Sequence, residues 1–458
     1  MTPAQRNTFI ASYLGWTLDA FDFFLVTFVL TQLSTDFRKT VPEVAFAITV
    51  TLMLRPVGAF IFGYLGDRYG RRIPLMIDIA FFSLVELATA FSPNFTVFLI
   101  LRALYGIGMG GEWGLGSALA METMPAERRG LWSGILQEGY AMGFLLAGAA
   151  YFGVHHFYPE HTWRAMFVLG VVPALLIFFI RAGVPESPVW LATRGATREP
   201  WRFQAVHGYA VALLVAGAVF YFTLAFAPHE LWWGLAGALL LAWALFAWFS
   251  GRASEGERRL MPLFIYAVLL MASLNFMSHG TQDLYPTFLQ KQHGLDPGGV
   301  FRINTIANIG AIAGGMIVGA LSQRLGRRRA IVSAAGLGIL LIPLWAFSPT
   351  LPLLALGGFA IQFMVQGAWG VIPAHLNELS PVGTRGTFPG FVYQFGNFLS
   401  AGAAQLEAQF AHSSFPLPGG GVDYARAMAI VALVTFAAVI VFTLAGKEAR
   451  RANLAEAA

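Results

Sequence analysis

Fourteen stretches of about 20 mostly apolar residues recur along the 458-residue chain, separated by shorter polar connections. Each is long enough to cross roughly 30 Å of hydrocarbon as a helix. Only 12% of residues are Asp, Glu, Lys or Arg, against about a quarter in soluble domains. With 57% hydrophobic residues and a mean hydropathy of +0.64, the chain has too little polar surface to face water. Backbone in lipid must satisfy its own hydrogen bonds, which leaves helices or closed barrels. The period-2 alternation of a barrel is absent. The expectation is an all-α integral membrane protein, its 50 glycines serving close helix packing and many of its 41 phenylalanines facing lipid.

The spans fall near 8–32, 43–65, 74–93, 96–121, 130–153, 163–181, 204–226 and 231–250. Six more lie near 262–289, 299–321, 329–347, 351–377, 386–411 and 424–446. Residues 8–32 read as the first span and not as a signal peptide: they carry Asp19 and Asp22 and lack a small-x-small cleavage site. Arginines gather in alternate loops. Arg68, Arg71 and Arg72 follow span 2; Arg128 and Arg129 follow span 4; Arg181, Arg194, Arg198 and Arg202 follow span 6. Arg252, Arg258 and Arg259 follow span 8; Arg324, Arg327, Arg328 and Arg329 follow span 10; Arg385 follows span 12; Lys447, Arg450 and Arg451 follow span 14. The opposite loops carry little beyond Arg38, Lys39 and Lys291. The positive-inside rule then places both termini in the cytoplasm, as an even number of spans requires, and the formal charge of +5 needs no nucleic-acid partner. A bacterial inner-membrane location is expected.

An internal repeat holds a constant offset of 256 residues. Gly63, Gly70, Arg71 and Arg72 recur as Gly319, Gly326, Arg327 and Arg328, and Gly111-Glu112-Trp113-Gly114 as Gly367-Ala368-Trp369-Gly370. Glu122, Pro125, Arg129 and Gly130 recur as Glu378, Pro381, Arg385 and Gly386. Two six-helix bundles in parallel orientation follow. The expected division is a bundle over 1–185, a central loop with an inserted helix pair over 186–260, and a second bundle with a short tail over 261–458.

The loop after span 2 reads Gly63-Tyr-Leu-Gly-Asp67-Arg68-Tyr-Gly70-Arg71-Arg72, and its echo at 319–328 has Gln323 where Asp67 stands. The glycines allow a tight turn, and the acid can bond a helix N-terminus or a basic group across the bundle interface. Taken alone, the arginines could serve only as topology determinants. Together with the repeat, the segment resembles the major facilitator superfamily signature G-x3-D-x2-G-R-R. That resemblance implies the major facilitator fold and a gating role for Asp67, Gly70, Arg71, Arg129, Arg327 and Arg385. Arg164 and Pro185-Glu186-Ser187-Pro188 look like facilitator signatures of a structural kind.

Ionisable groups at membrane depth cost several kcal/mol unless paired or facing a wet cavity. Arg55 sits near the middle of span 2, beyond snorkelling reach of either end. It suits a bidentate grip on a carboxylate, and the alternative is a permanent ion pair with Asp19, Asp22 or Glu112. Asp19 and Asp22 lie one turn apart in span 1 beside Phe23 and Phe24. They can carry a coupling proton or hold span 1 to its neighbours; Glu112 and Glu138 share that ambiguity, while Asp78 and Glu86 read as structural.

Span 9 holds Asn275, Ser278, His279, Thr281, Gln282 and Asp283 within about two turns. Asn275, His279 and Gln282 share one helix face, so this stripe faces a cavity or a partner helix. The segment Asn275–Thr287 resembles the N-x-x-S-H-x-S/T-Q-D-x-x-x-T signature of fungal lactate/pyruvate:proton symporters. Nearly the whole chain is similar to the wider sialate:proton symporter family, including Leu54-Arg55-Pro56-Val57-Gly58 and Tyr393-Gln394-Phe395-Gly396-Asn397. The resemblance to the lactate permeases implies binding or coupling roles for Arg55, Asn275, His279, Asp283 and Gln394. Phe23, Trp113 and Tyr140 are candidate apolar walls of the site, and Asp19, Asp22, Glu112, His279 and Asp283 candidate proton carriers.

The expected activity is proton-coupled symport of a small monocarboxylate, with sialate or another sugar acid as the alternative favoured by the inserted pair. There is no cysteine, no metal-ligand spacing among the nine histidines, no cofactor loop and no catalytic dyad, so neither cofactor nor enzyme activity is expected. The partners expected are a small carboxylate, protons and lipid, for a chain acting as a monomer.

Overall fold

A computed structural model describes residues 1–196, 204–226, 231–417, 421–450 and 454. Arg198, Arg202 and Arg451 lie outside them. The chain forms α1 (Pro3–Phe37), α2 (Val41–Tyr69), α3 (Arg72–Ala90), α4 (Phe95–Thr123), α5 (Arg129–Gln137), α6 (Gly139–Phe157), α7 (Thr162–Leu169) and α8 (Leu175–Gly183). A connecting stretch holds α9 (Pro188–Ala196), α10 (Ala205–Phe226), α11 (Leu231–Arg252) and α12 (Glu255–Arg258). Then come α13 (Leu260–Gln282), α14 (Tyr285–Lys291), α15 (Pro297–Leu325), α16 (Arg327–Ala346), α17 (Leu351–Trp369), α18 (Ile372–Leu379), α19 (Phe388–Ser400), α20 (Ala403–Ser414) and α21 (Tyr424–Ala445). No strand occurs among the described residues beyond one isolated bridge, Pro416 to Val422.

Among the described residues, eleven helical segments are long and apolar enough to cross a membrane. The other three apolar stretches of the sequence are built differently. The stretch at 130–153 breaks at Glu138 into α5 and α6, and that at 386–411 breaks at residues 401–402 into α19 and α20. The third is α10, one unbroken helix over Ala205–Phe226.

Helices α1–α8 form a first bundle and α13–α21 a second. In the first, α2 and α4 touch backbone to backbone. A Cβ on Gly58 would lie 1.6 Å from the Ile107 carbonyl oxygen, and one on Gly110 1.9 Å from that of Arg55. The second bundle repeats the device between α15 and α17, where a Cβ on Gly314 would lie 2.0 Å from the Phe363 oxygen. Gly314 and Phe363 are the repeat mates of Gly58 and Ile107, 256 residues on. Small residues thus let dispersion and short contacts hold helices that no hydrophobic effect drives together in lipid. The long helices end at glycines that supply a positive φ, Gly70 at +97° and Gly326 at +102°.

The seam between bundles at the arginine-rich end is also made of glycine. Gly63 of α2 lies against Gly386 and Thr387, and its repeat mate Gly319 of α15 lies against Gly130 and Gly134. Gly114 of α4 meets Gly390 of α19 in the same way. That end is closed; toward the other end the bundles separate around a cleft.

Candidate functional site: a closed gate, a buried charge cluster and a cleft

The candidate gate is the closed seam around the motif after α2. Asp67 accepts from the backbone N–H of Gly386 (2.6 Å) and Thr387 (3.0 Å) and from the Thr387 hydroxyl (2.7 Å), so it caps the start of α19 across the seam. Arg71 donates to Glu122 (3.0 and 3.3 Å), to Asp67 (3.3 Å) and to the Gly66 carbonyl (2.7 Å). In the second bundle Arg327 donates to both oxygens of Glu378 (2.9 Å each) and to Gln323 (3.0 Å). Gln323 in turn accepts from Gly130 N–H (3.0 Å) and donates to the Ala126 carbonyl (2.8 Å). Arg129 reaches across the seam to Glu378 (3.2 Å) and to the Met121 carbonyl (3.0 Å). Its repeat mate Arg385 donates instead to the Leu454 carbonyl in the tail (2.7 Å).

Glu186 explains the Pro185-Glu186-Ser187-Pro188 segment. Its carboxylate caps α3, accepting from Arg71 N–H (2.8 Å) and Arg72 N–H (3.1 Å). Glu448 does the same for α16 through Arg327 N–H (3.1 Å) and Arg328 N–H (3.0 Å). Ser133 completes the closed seam, donating to the Gly370 carbonyl (2.7 Å) and accepting from Ala374 N–H (2.9 Å). Neither Ser133 nor Glu448 stands out in the sequence.

The first bundle's interior is charged. Asp19, Asp22, Asp78, Glu86 and Glu112 are all fully buried, and Arg55 is 2% exposed. Glu86 is paired: Arg102 holds both of its oxygens at 2.8 Å, with its guanidinium carbon 4.2 Å from the centre of the Tyr105 ring. Tyr105 donates to the Asp19 backbone carbonyl (2.7 Å) and approaches its carboxylate (3.4 Å). Both oxygens of Asp22, Asp78 and Glu112, one of Asp19, and two nitrogens of Arg55 have no hydrogen-bond partner. Arg55 lies within electrostatic range of Asp19, Glu112, Tyr140, His279 and Tyr393, and forms no direct ion pair with Asp19, Asp22 or Glu112.

The second bundle's interior is richer in amides and carries fewer charges. Asn275 is 3% exposed; it donates to the Met271 carbonyl (2.9 Å) and packs on Gly396 of α19. Gln394 accepts from Asn397 (2.9 Å) and leaves its amide nitrogen unpartnered. His279 Nδ1 and Asp283 Oδ2 are 2.9 Å apart, on a partly exposed face. Gln282 donates to Gln362 of α17 (2.8 Å). Glu407 of α20 is buried with neither oxygen partnered.

Between the bundles lies a cleft of about 250 Å³, lined by Phe24, Gln137, Glu138, Tyr140 and Phe144 from the first. Gln282, Tyr285, Asn304, Asn308, Trp345, Gln362 and Gln366 line it from the second. Below it Trp113 stacks on Tyr393 with ring centres 3.9 Å apart, and Tyr393 meets Gln137 (3.4 Å), its own repeat mate. Of the expected walls, Tyr140 lines the cleft, while Trp113 is buried against Tyr393 outside its lining. Phe23 packs into the first bundle's core, and its neighbour Phe24 takes the cleft position. Sequence reasoning missed Arg102, Glu407 and most of the amides. A signal was available for the last: Asn304 and Asn308, like Gln362 and Gln366, stand at i, i+4 in otherwise apolar helices.

Two bundles with a repeated gate and a central cleft are the architecture of a membrane carrier. The model of the family described as sugar (and other) transporter matches residues 7–203 and 263–442, and the chain belongs to that family. The chain is 30% identical over 452 residues to a carboxylic acid transporter protein homolog of Saccharomyces cerevisiae, covering 96% of this chain and 68% of that one. It is 24% identical over 400 residues to the sialic acid transporter NanX of Escherichia coli, covering 86% and 85%. The fold is similar to that of the proton:xylose symporter XylE, with a TM-score of 0.69 at 17% identity, covering 99% of this chain and 98% of that one. The stretch between the two family matches, 204–262, contains α10, α11 and α12.

Proposed function

We propose that the chain is a proton-coupled symporter of small monocarboxylates such as lactate or pyruvate, working by alternating access. The observation that carries this is Arg55, a guanidinium 2% exposed with two nitrogens unpartnered. A buried cation is retained at such cost only where an anion completes it, and a carboxylate matches its fork. Asp19 and Glu112 lie within electrostatic range of it without ion pairs, Asp22 and Asp78 are buried in the same bundle without hydrogen-bond partners, and one cation cannot offset so many buried carboxylates in their ionised form. A proton taken up by this group as the substrate carboxylate docks on Arg55 makes the loaded carrier neutral across the step that moves it. Asn275 and Gln394 donate to the hydroxyl or keto oxygen, and the His279–Asp283 pair serves the proton on its way in.

The same reading includes fourteen spans, both termini in the cytoplasm of a bacterial inner membrane, and the division at 1–185, 186–260 and 261–458. The closed gate of Asp67, Arg71, Arg129 and Arg327 is then cytoplasmic and the cleft opens outward. The yeast relative's name as a carboxylic acid transporter supports the substrate class.

A sugar acid such as sialate is the second reading. The amides of the cleft favour it, because carboxamides both donate to and accept from hydroxyls, and a sialic acid transporter is among the relatives. The test is uptake of labelled L-lactate into proteoliposomes under an inwardly directed proton gradient. Accumulation that a protonophore abolishes and pyruvate competes supports the first reading. Sialate uptake that persists in excess lactate replaces it with the second.

A further inference from the structure

Helix α10, in the stretch that the family model passes over, lies across the seam at the closed end. Its contacts with the second bundle are apolar. Ala205, Val206, Tyr209 and Ala210 belong to the same continuous core as Phe264, Phe388 and Phe391. Tyr209 stands 5.8 Å from Phe264 between ring centres, and Gly217 fits so closely that a Cβ would lie 2.8 Å from the Phe398 ring. The side chain of Gln204 covers Gly383, whose φ is +82°, in the loop before α19. Toward the first bundle, on α2, the contact is polar. His207 is fully buried, sets its ring edge-on to Tyr64 with centres 5.4 Å apart, and brings Nε2 to 3.4 Å from Asp67 Oδ2.

The hydrogen bonds assign the ring. Gln204 N–H donates to His207 Nδ1 (3.0 Å), so that nitrogen is an acceptor and the proton of the neutral imidazole sits on Nε2, aimed at Asp67. Besides Arg71 beside it in the same loop, Asp67 therefore receives donors from the start of α19 in the second bundle and from the imidazole of the inserted helix. Opening this end requires all of them to let go of α2. The apolar contacts of α10 give it no reason to leave the second bundle.

We propose that His207 is a positioning residue of the gate. It holds the Asp67 carboxylate in the orientation that caps α19, and the inserted helix pair is a strap that travels with the second bundle and latches α2 only when this end is closed. Each half of the latch has a separate readout. The proposal rests on the alternating-access reading above but not on the identity of the solute.

The chain contains no cysteine, so a single Ser117→Cys substitution reports on the seam without background; Ser117 of α4 is 2% exposed in the closed state. Its labelling by a membrane-impermeant maleimide is measured from the gate side in proteoliposomes. On this background His207→Phe keeps a ring against Tyr64 and loses the donor, so labelling accelerates about two- to tenfold, the worth of one hydrogen bond. His207→Gln restores an N–H toward Asp67 and labels near the parent rate. His207→Ala is measured alongside, so the result does not hang on the fold of one variant. Parent-like labelling in both His207→Phe and His207→Ala overturns the proposal. So does His207→Gln labelling as fast as His207→Phe, since the effect is then packing and not the hydrogen bond. Labelling is independent of the carried solute, so a failure of lactate uptake leaves this test standing and its failure leaves the transport reading intact.

Discussion

The two bundles share a backbone plan and differ in what they bury. At one repeat register after another, a charge in the first is matched by a neutral residue in the second. Asp19 stands opposite Asn275, Arg55 opposite Ala311, Asp78 opposite Ala334, Arg102 opposite Gly358, Glu112 opposite Ala368 and Glu138 opposite Gln394. The gate and the glycine contacts, by contrast, are repeated nearly residue for residue. The difference teaches that the closed seam draws on both halves alike, whereas most of the buried charge lies in one. Burying a second cluster would double the desolvation cost without adding a place for the anion. On the proposed reading, the amides of the second bundle meet the neutral part of the ligand.

Breaking that comparison is simplest at Arg55. Arg55→Ala lowers uptake by about 10- to 100-fold or more at unchanged abundance, the worth of a charged hydrogen bond, while Asn275→Ala costs about tenfold or less, that of a neutral one. Equal losses in an uptake assay would mean that charge handling is not confined to the first bundle. Its acids are addressed by Asp19→Asn, which copies the second bundle's residue. Uptake by this variant loses its dependence on external pH, and a pH profile parallel to that of the parent removes Asp19 from the proton path.

The shared plan predicts equality instead. Gly58→Ala and Gly314→Ala each force a Cβ into a backbone carbonyl and destabilise by about 1–3 kcal/mol. Gly336→Ala, with nothing within 4 Å, leaves thermal unfolding in detergent unmoved. A large difference between the first two would show that one bundle relaxes where the other cannot. The smallest effect lies at the paired caps, where Glu186→Gln and Glu448→Gln each cost about 1 kcal/mol. Burial raises the Glu448 carboxyl, but the N–H groups of Arg328, Arg327 and Arg450 outweigh it and hold the group below its usual range. Its contribution is therefore complete above the ordinary glutamate value of about 4.3 and is lost as pH falls through the lower folded value. Unfolding of Glu448→Gln measured against pH shows this as a shrinking difference from the parent on the acid side.

The gate was legible in the sequence because its parts are local and repeated: Asp67, Arg71 and their mates sit in one loop, and the 256-residue offset finds the partner loop. The buried acids were legible because each is a lone charge in an apolar window. Arg102 escaped notice beside an apolar run, and its partner Glu86 lies on another helix, so only packing pairs them. The cleft amides come from four different helices, α5, α13, α15 and α17; the i, i+4 pairs on α15 and α17 were visible, but only packing brings the four helices together. The breaks at Glu138 and at residues 401–402 were hidden because hydropathy averages straight through a bend. The contact of His207 with Asp67, 140 residues apart, is set by where the inserted helix docks, which no local pattern records.

The central claim is that a carboxylate and a proton cross together as a neutral pair held by Arg55 and the acids around it. The most direct test is the ratio of proton to L-lactate flux in proteoliposomes, read with an internal pH dye, labelled substrate and a clamped membrane potential. One proton per lactate, with uptake indifferent to voltage, is the predicted result. Lactate flux without proton movement, or a flux that follows the voltage, would contradict it.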